Sequence, residues 1–322
     1  MPSAGTRDSI RVVIDEASFD FRGLSATLIK EHLDRFNDAV GEMRDDGITP
    51  RKPPMLEAVA CSEEFELFDY LMSGPGERID KDIRLRFFGL VDKCPEWDIG
   101  LPVTPDVVLG AGEPEMAMSI AFALASALSG LGVACLVFGG CARRGFLPVR
   151  AKLGEADIFF FAEEADIKYF WRSLYKLEKV AESGFLELTT RAFPDLDFCP
   201  DLTFRRFEGS YQDLMPEVVK HLSVLNDHFL SAYRACNGLP HDLEATLGAA
   251  GCPGVSPESP KTHSNERLMK QRDVTYLGRT VRCEWHTKIQ PHRNRIHFAA
   301  GDAYDAAWKR ILIGIFVDHL DT

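Results

Sequence analysis

Arg279-Thr-Val-Arg-Cys-Glu-Trp-His-Thr-Lys288 alternates apolar and polar residues, which is the pattern of a strand with one buried and one open face. The apolar side carries Val281, Cys283 and Trp285, and the polar side carries Arg282, Glu284, His286 and Lys288. This stretch predicts a sheet whose polar face gathers acid–base groups.

Two later segments continue the pattern. Asn294 to Ala299 places Arg295 and His297 on one polar side, and the apolar strand Ile311 to Val317 leads directly into Asp318 and His319. An amphipathic helix at about Tyr211 to Cys236 precedes them. Residues 206–322 are therefore predicted to form a helix plus a small antiparallel sheet.

Residues 1–205 show a different sequence pattern, in which short β-prone segments alternate with helix-like segments. This pattern predicts an α/β domain over residues 1–205, and an α+β fold class for the whole chain. The predicted strands are Arg11–Ile14, Asp106–Leu109, Val133–Phe138 and Ala156–Ala162, and the predicted helices are Ser25–Met43, Glu113–Ser129 and Ala165–Ala181. Leu239 to Ser264, with four Pro and three Gly, is predicted to be a flexible connection or an ordered active-site loop.

Composition favours a folded protein with an uneven charge distribution. The 322 residues are 45% hydrophobic and carry a net charge of -12, yet residues 261–322 hold 11 Lys and Arg against 7 Asp and Glu, together with five of the nine histidines. A basic C-terminal segment is compatible with RNA or another nucleic acid as a partner. A protein regulator or complex partner and a homo-oligomer are further expectations.

The sequence also predicts where in the cell the protein is found. Eight cysteines without a C-x-x-C pair indicate reduced thiols, and MPSAGTRDS at the start has no apolar signal core, so a cytoplasmic protein is predicted. Met116 to Ala142 contains no charged residue, but Gly130-Leu-Gly132 interrupts it. A buried helix followed by a strand is expected there, with no membrane partner.

The polar face supplies the groups that cleave a phosphodiester without a metal. A Glu or a neutral His takes the proton of a ribose 2′-OH, Arg and Lys stabilise the charged phosphate, and a protonated His donates to the leaving oxygen. The candidate catalytic residues are Glu284, His286, Lys288, Arg295, His297 and His319. The alternatives are a solvated sheet face and a metal site built from the three histidines. Neighbouring Lys and Arg residues would repel a dication, so neither a metal nor another cofactor is predicted.

Glu284-Trp-His-Thr-Lys288, Asn294-Arg-Ile-His-Phe298 and the strand ending in Asp318-His319 together resemble the C-terminal sheet of RelE/YoeB-type mRNA interferase toxins, over about residues 265–322. The resemblance implies a prokaryotic endoribonuclease acting as a toxin or antiviral defence effector. It implies Arg295 as the phosphate-binding arginine, His319 as the general acid, and Glu284 or His286 as the base. Such toxins are small, basic and stand alone, whereas more than 200 residues of net-acidic chain precede this segment. Residues 1–205 are therefore expected to have a regulatory or assembly role.

Two other hypotheses about function remain open. Val12-Val-Ile-Asp-Glu-Ala-Ser18 resembles the first motif of PIN-type nucleases, which implies a Mg²⁺-dependent site at Asp15 that Asp106 and Asp157 would complete. The alternative is a non-enzymatic assembly or sensor subunit of a defence complex. Ser256 to Ser259 is expected to lie over the polar sheet, without the nucleophile-elbow sequence of a serine hydrolase.

Overall fold

The computed structural model describes residues 10–97, 105–290 and 292–321. The chain divides into two compact units, Met1–Phe170 (unit 1) and Trp171–Thr322 (unit 2). Both combine helices with a mixed sheet, which confirms the predicted α+β class. The division falls at residue 170 instead of the expected 205, since the strand Leu196–Phe198 pairs with Ile311–Val317 and so belongs to the C-terminal sheet.

Unit 1 is built on a six-stranded sheet. Its strands are β1 (Val12–Ile14), β2 (Asp106–Leu109), β3 (Glu115–Met116), β4 (Ala134–Leu136), β5 (Gly145–Ala151) and β6 (Gly154–Phe161). Their order is β1-β4-β6-β5-β2-β3, with β1, β4 and β6 parallel and β5 antiparallel to β6. β5 was not predicted, since it contains Pro148 and proline is rare in inner strands.

The helices of unit 1 include the three predicted from the sequence, near residues 25–43, 113–129 and 165–181, and two that were not predicted. They are α1 (Ala26–Asp45), α2 (Leu67–Met72), α3 (Lys81–Val91), α4 (Met118–Leu128) and α5 (Ile167–Leu177), the last of which ends in unit 2. Ser25 caps α1 by accepting a hydrogen bond from the Leu28 N–H. α4 has only 11 residues and is followed by β4, and no helix in the described residues is long and apolar enough to cross a membrane.

Unit 2 contains a five-stranded sheet and a separate two-stranded ribbon. Its strands are β7 (Leu196–Phe198), β8 (Ser256–Pro257), β9 (Asp273–Tyr276), β10 (Arg279–Arg282), β11 (Trp285–Gln290), β12 (Arg293–Ala300) and β13 (Ile311–Val317). The large sheet has the order β7-β13-β12-β11-β8, and β9 pairs with β10. The single strand predicted from Arg279 to Lys288 is therefore wrong, because the chain changes sheets at Cys283 and Glu284.

Helices occupy much of the segment that was expected to be a loop. The helices of unit 2 are α6 (Thr189–Ala192), α7 (Tyr211–Val224), α8 (Leu230–Ala235), α9 (Pro240–Ala249), α10 (Pro260–His263) and α11 (Glu266–Met269). A π-helical turn joins α7 to α8, so the long helix predicted from Tyr211 to Cys236 is confirmed. Pro240 and Pro260 occupy the first positions of α9 and α10, where a missing N–H costs nothing.

Candidate functional site

The strand registers of unit 2 bring a set of polar side chains onto one face of its sheet. Ser256 lies opposite His286, and His286 in turn lies opposite His297. Lys288 and Arg295 are directly opposite each other on the same pair of strands. Because alternate residues of a strand share a face, the polar positions of three strands converge. They line a cavity of about 240 Å³ together with Pro257, Glu258, Ser259, Thr262, Arg272 and Leu320.

A buried carboxylate is at the centre of this arrangement. Glu258 Oε1 is 2.8 Å from Arg272 Nε and 3.5 Å from Nδ1 of both His286 and His297. The Arg272 Nε–H does not point at this oxygen, so we regard the contact as an ion pair without an aligned hydrogen bond. Arg272 is 1% exposed and also donates to the carbonyls of Leu268 and Asp321. The arginine is therefore fixed in place.

The environment sets the charges of these groups. Burial alone would raise the pKa of the Glu258 carboxyl, but contacts with His286 and Arg272 outweigh it and lower the pKa to about 2. Burial, together with the cations nearby, lowers the pKa of His297 to about 3. At neutral pH the carboxylate is thus ionised and the His297 ring is neutral.

His286 is the more exposed of the two imidazoles, at 9% against 1% for His297. Its Nδ1 points toward Glu258, and its Nε2 lies 3.5 Å from the Ser256 hydroxyl. A carboxylate beside Nδ1 favours the tautomer that leaves Nε2 able to accept a proton. The groups Ser256, His286 and Glu258 follow the order of a nucleophile, a base and an orienting carboxylate, although both contacts are longer than usual hydrogen bonds.

Lys288 and Arg295 form a pair of like charges. Neither makes an ion pair with a carboxylate among the described residues. Burial lowers the pKa of Arg295, although Glu258 and Asp318 oppose this shift. Like charges directly opposite each other weaken a sheet, whereas a bound anion would neutralise them. This corner of the cavity is suited to a phosphate group.

The structure brings together four of the six predicted catalytic residues. His286, Lys288, Arg295 and His297 line the cavity, whereas Glu284 and His319 do not. Glu284 lies where the chain passes between sheets, and its carboxylate contacts His263 at 3.4 Å. His319 is exposed beyond the end of β13.

Sequence reasoning missed Glu258 and Arg272. Both are buried charged residues, and buried charges are rare unless they are paired. The available signal was the alternation of Ser256 and Glu258 in the segment expected to cover the sheet, which places both residues on the face of His286. Nothing in the local sequence identified Arg272.

Glu258, His286 and His297 are also the described residues whose donor atoms could hold a metal ion. One donor atom from each lies within 4.8 Å of the others. The chemistry is that of a His₂Glu zinc site. The guanidinium of Arg272 competes for the same carboxylate oxygen, and Lys288 and Arg295 add positive charge near a dication.

The PIN-like residues of unit 1 do not come together. Asp15 is fully buried at the end of β1, where Arg143 contacts it at 2.5 Å and also contacts Glu115. Burial raises the pKa of Asp15 to about 7 despite the opposing effect of Arg143. Ile14 aligns through Leu136 with Phe161, so Asp157 lies toward the other end of the sheet, roughly 16 Å along the strand direction. Asp106 is at that same far end.

Comparisons with known proteins identify no relative: no protein-family model, no curated protein and no solved structure matches this chain.

Proposed function

We propose that this protein cleaves RNA without a metal, in the cavity on the polar face of the unit 2 sheet. The observation that carries the proposal is the combination of an unpaired cross-strand cation pair, Lys288 and Arg295, with the His286 imidazole beside them. The cations provide a phosphate subsite, and the imidazole provides a base.

In this mechanism His286 Nε2 removes the proton of the ribose 2′-OH. The 2′ oxygen then attacks the adjacent phosphorus. Glu258 keeps Nδ1 protonated and stabilises the positive charge that the ring gains. Arg295 binds the non-bridging oxygens of the phosphate. The products are a 2′,3′-cyclic phosphate and a 5′-hydroxyl.

The leaving 5′ oxygen needs a proton donor. The resemblance to RelE/YoeB-type toxins implies His319 for this role, but its side chain does not line the cavity. His297 is too weakly basic to be protonated at neutral pH. We therefore assign the donation to the Lys288 ammonium.

A direct test is the incubation of the purified chain with labelled single-stranded RNA in EDTA. His286→Ala should slow cleavage by about 10²–10⁴-fold, the usual effect of losing a general base. Arg295→Gln should also abolish cleavage at low substrate concentration. Cleavage in EDTA that neither variant affects would refute the proposed site.

The chain offers a matched control for the arginine. Arg293 is on the same strand, two residues before Arg295, and pairs with Glu208 at the surface. Arg293→Gln should keep full activity. An oligonucleotide with 2′-deoxyribose throughout should resist cleavage, because it lacks the attacking hydroxyl.

A role as a toxin or defence effector extends this proposal to the cell. Residues 1–260 carry 26 Lys and Arg against 42 Asp and Glu, a balance that suits a regulatory segment or partner-binding segment better than an RNA-binding one. Expression of the wild-type chain should then inhibit bacterial growth, and expression of His286→Ala should not. Equal toxicity of the two would contradict the effector role.

A further inference from the structure

We propose that Glu258, His286 and His297 bind a divalent transition-metal ion such as Zn²⁺, and that this ion inhibits the RNA cleavage proposed above. The binding part of this inference stands on geometry alone. Only the inhibition rests on the proposed function.

The first observation is the spacing of the donor atoms. Two ligands of a tetrahedral zinc ion, each bonded at about 2.0–2.1 Å, are about 3.4 Å apart. Glu258 Oε1 is 3.5 Å from Nδ1 of His286 and 3.5 Å from Nδ1 of His297. Two of the three donor–donor distances therefore match those of a zinc site, and the third, between the two histidines, is within 4.8 Å.

The second observation is independent of the spacing. His297 is 1% exposed, and neither of its ring nitrogens has a hydrogen-bond partner among the described residues. His286 Nδ1 lacks one as well. Buried polar atoms are normally partnered, and leaving one unsatisfied costs about 1–3 kcal/mol. A metal ion bound between the two rings would satisfy one nitrogen of each, His286 Nδ1 and His297 Nδ1.

The backbone geometry directs these side chains toward the same point. The register between β12 and β13 shifts at His297 and Phe298, and such irregularities redirect a side chain. The His286 and His297 rings are tilted by 41° with centroids 5.3 Å apart, so they are not stacked. The cavity gives an ion access to both rings and to Glu258.

The surrounding cations explain why this metal would be an inhibitor. Arg272, Lys288 and Arg295 repel a dication and so weaken its binding, which makes the ion exchangeable. A metal bound to Nδ1 of His286 also withdraws electron density from the ring and weakens Nε2 as a base. Metal occupancy and proton transfer therefore oppose each other at the same imidazole.

The test begins with the full chain, from which any bound metal is removed with EDTA and the EDTA then removed by dialysis. Calorimetric titration with Zn²⁺ should show one bound equivalent, and Co²⁺ should give the visible absorption of a tetrahedral site. Loss of a residue that only supports a metal ligand typically weakens metal binding by about 10- to 100-fold. His286→Asn removes a ligand itself and should weaken Zn²⁺ binding by more than this. His263→Asn and His319→Asn remove surface imidazoles and should bind as wild type does.

Glu258→Gln provides a second ligand variant, and circular dichroism shows whether each variant is folded. Absence of Zn²⁺ binding by the folded wild-type chain would overturn the proposal, as would equal binding by folded His286→Asn and wild type. In the RNA assay, Zn²⁺ should reduce cleavage in proportion to site occupancy, and EDTA should restore it. Stimulation by Zn²⁺ would overturn the inhibition, whereas Zn²⁺ binding by a chain that cleaves no RNA would refute the proposed function and leave the metal site standing.

Discussion

Replacing Lys288 by Gln should stabilise the fold and weaken RNA binding at the same time. Lys288 and Arg295 are opposite each other across β11 and β12 without a paired carboxylate. Two unit charges about 7 Å apart repel by about 0.6 kcal/mol in water and about 2.4 kcal/mol at an effective dielectric constant of about 20. Cross-strand pairs measured in proteins span about 0.2–1 kcal/mol, and we expect the gain in unfolding free energy within that range.

The substitution preserves packing. The Cβ, Cγ and Cδ atoms of Lys288 lie close to Gly254, and glutamine retains all three carbons. A gain of this size raises the melting temperature of a domain of about 150 residues by up to about 4 °C. A plot of the logarithm of the RNA-binding constant against the logarithm of the salt concentration has a negative slope. Removal of one phosphate contact should make this slope less steep by about 0.7 for single-stranded RNA.

Urea unfolding and fluorescence anisotropy with a labelled RNA measure the two effects. Lys220→Gln is the matched control, since Lys220 forms an exposed pair with Glu217 at 3.4 Å. This variant should shift the unfolding free energy by less than about 0.5 kcal/mol and leave RNA binding unchanged. Destabilisation by Lys288→Gln, or an unchanged salt slope, would refute the reasoning.

Three further predictions concern other groups. Ser256→Ala should retain RNA cleavage, because the substrate supplies the attacking hydroxyl; loss of cleavage together with a fluorophosphonate adduct on Ser256 would instead indicate a serine nucleophile. Asp15→Asn should leave cleavage in EDTA unchanged, and a loss of activity would return the chemistry to unit 1. Because burial lowers the pKa of His297 to about 3, the unfolded state binds a proton below about pH 6.5 that the folded state does not. Urea unfolding should therefore show stability falling with pH from about 6.5 toward 3, and His297→Gln should flatten that dependence.

The alternation of residues was sufficient to predict the four residues that line the cavity from β11 and β12. A period of two assigns His286 and Lys288 to one face, and neighbouring strands with the same period bring Arg295 and His297 beside them. Glu284 was misplaced because the pattern continues through Cys283 without a visible break. Arg282, just before the change of sheet, belongs to the two-stranded ribbon and pairs with Asp273 of β9 and Glu266 of α11.

Glu258 and Arg272 could not be predicted by the same argument. β8 has two residues and pairs with β11 from a segment that is about 30 positions earlier and rich in proline. Arg272 reaches Glu258 from the 3-10 turn that follows α11, and it donates to the carbonyl of Leu268 nearby in sequence and to that of Asp321, 49 residues away. Local periodicity carries no information about such non-local pairing, because the pairing is decided by which segments can bury their apolar faces together.

The two faces of β11 show why chemistry is assigned to His286 and not to another histidine. Thr287, on the opposite face, contacts His221 Nδ1 at 2.7 Å and Cys252 Sγ at 3.2 Å, and thiol and imidazole are 3.1 Å apart. Burial lowers the pKa of His221 to about 4 and raises that of Cys252 to about 11, so both groups are neutral at pH 7. A nucleophilic cysteine requires the thiolate and solvent access, and this pair has neither. On the other face, an ionised carboxylate and the partly or fully buried cations Arg272, Lys288 and Arg295 surround an imidazole that borders a cavity. That environment combines the anion-binding and proton-transfer groups on which the proposed function rests.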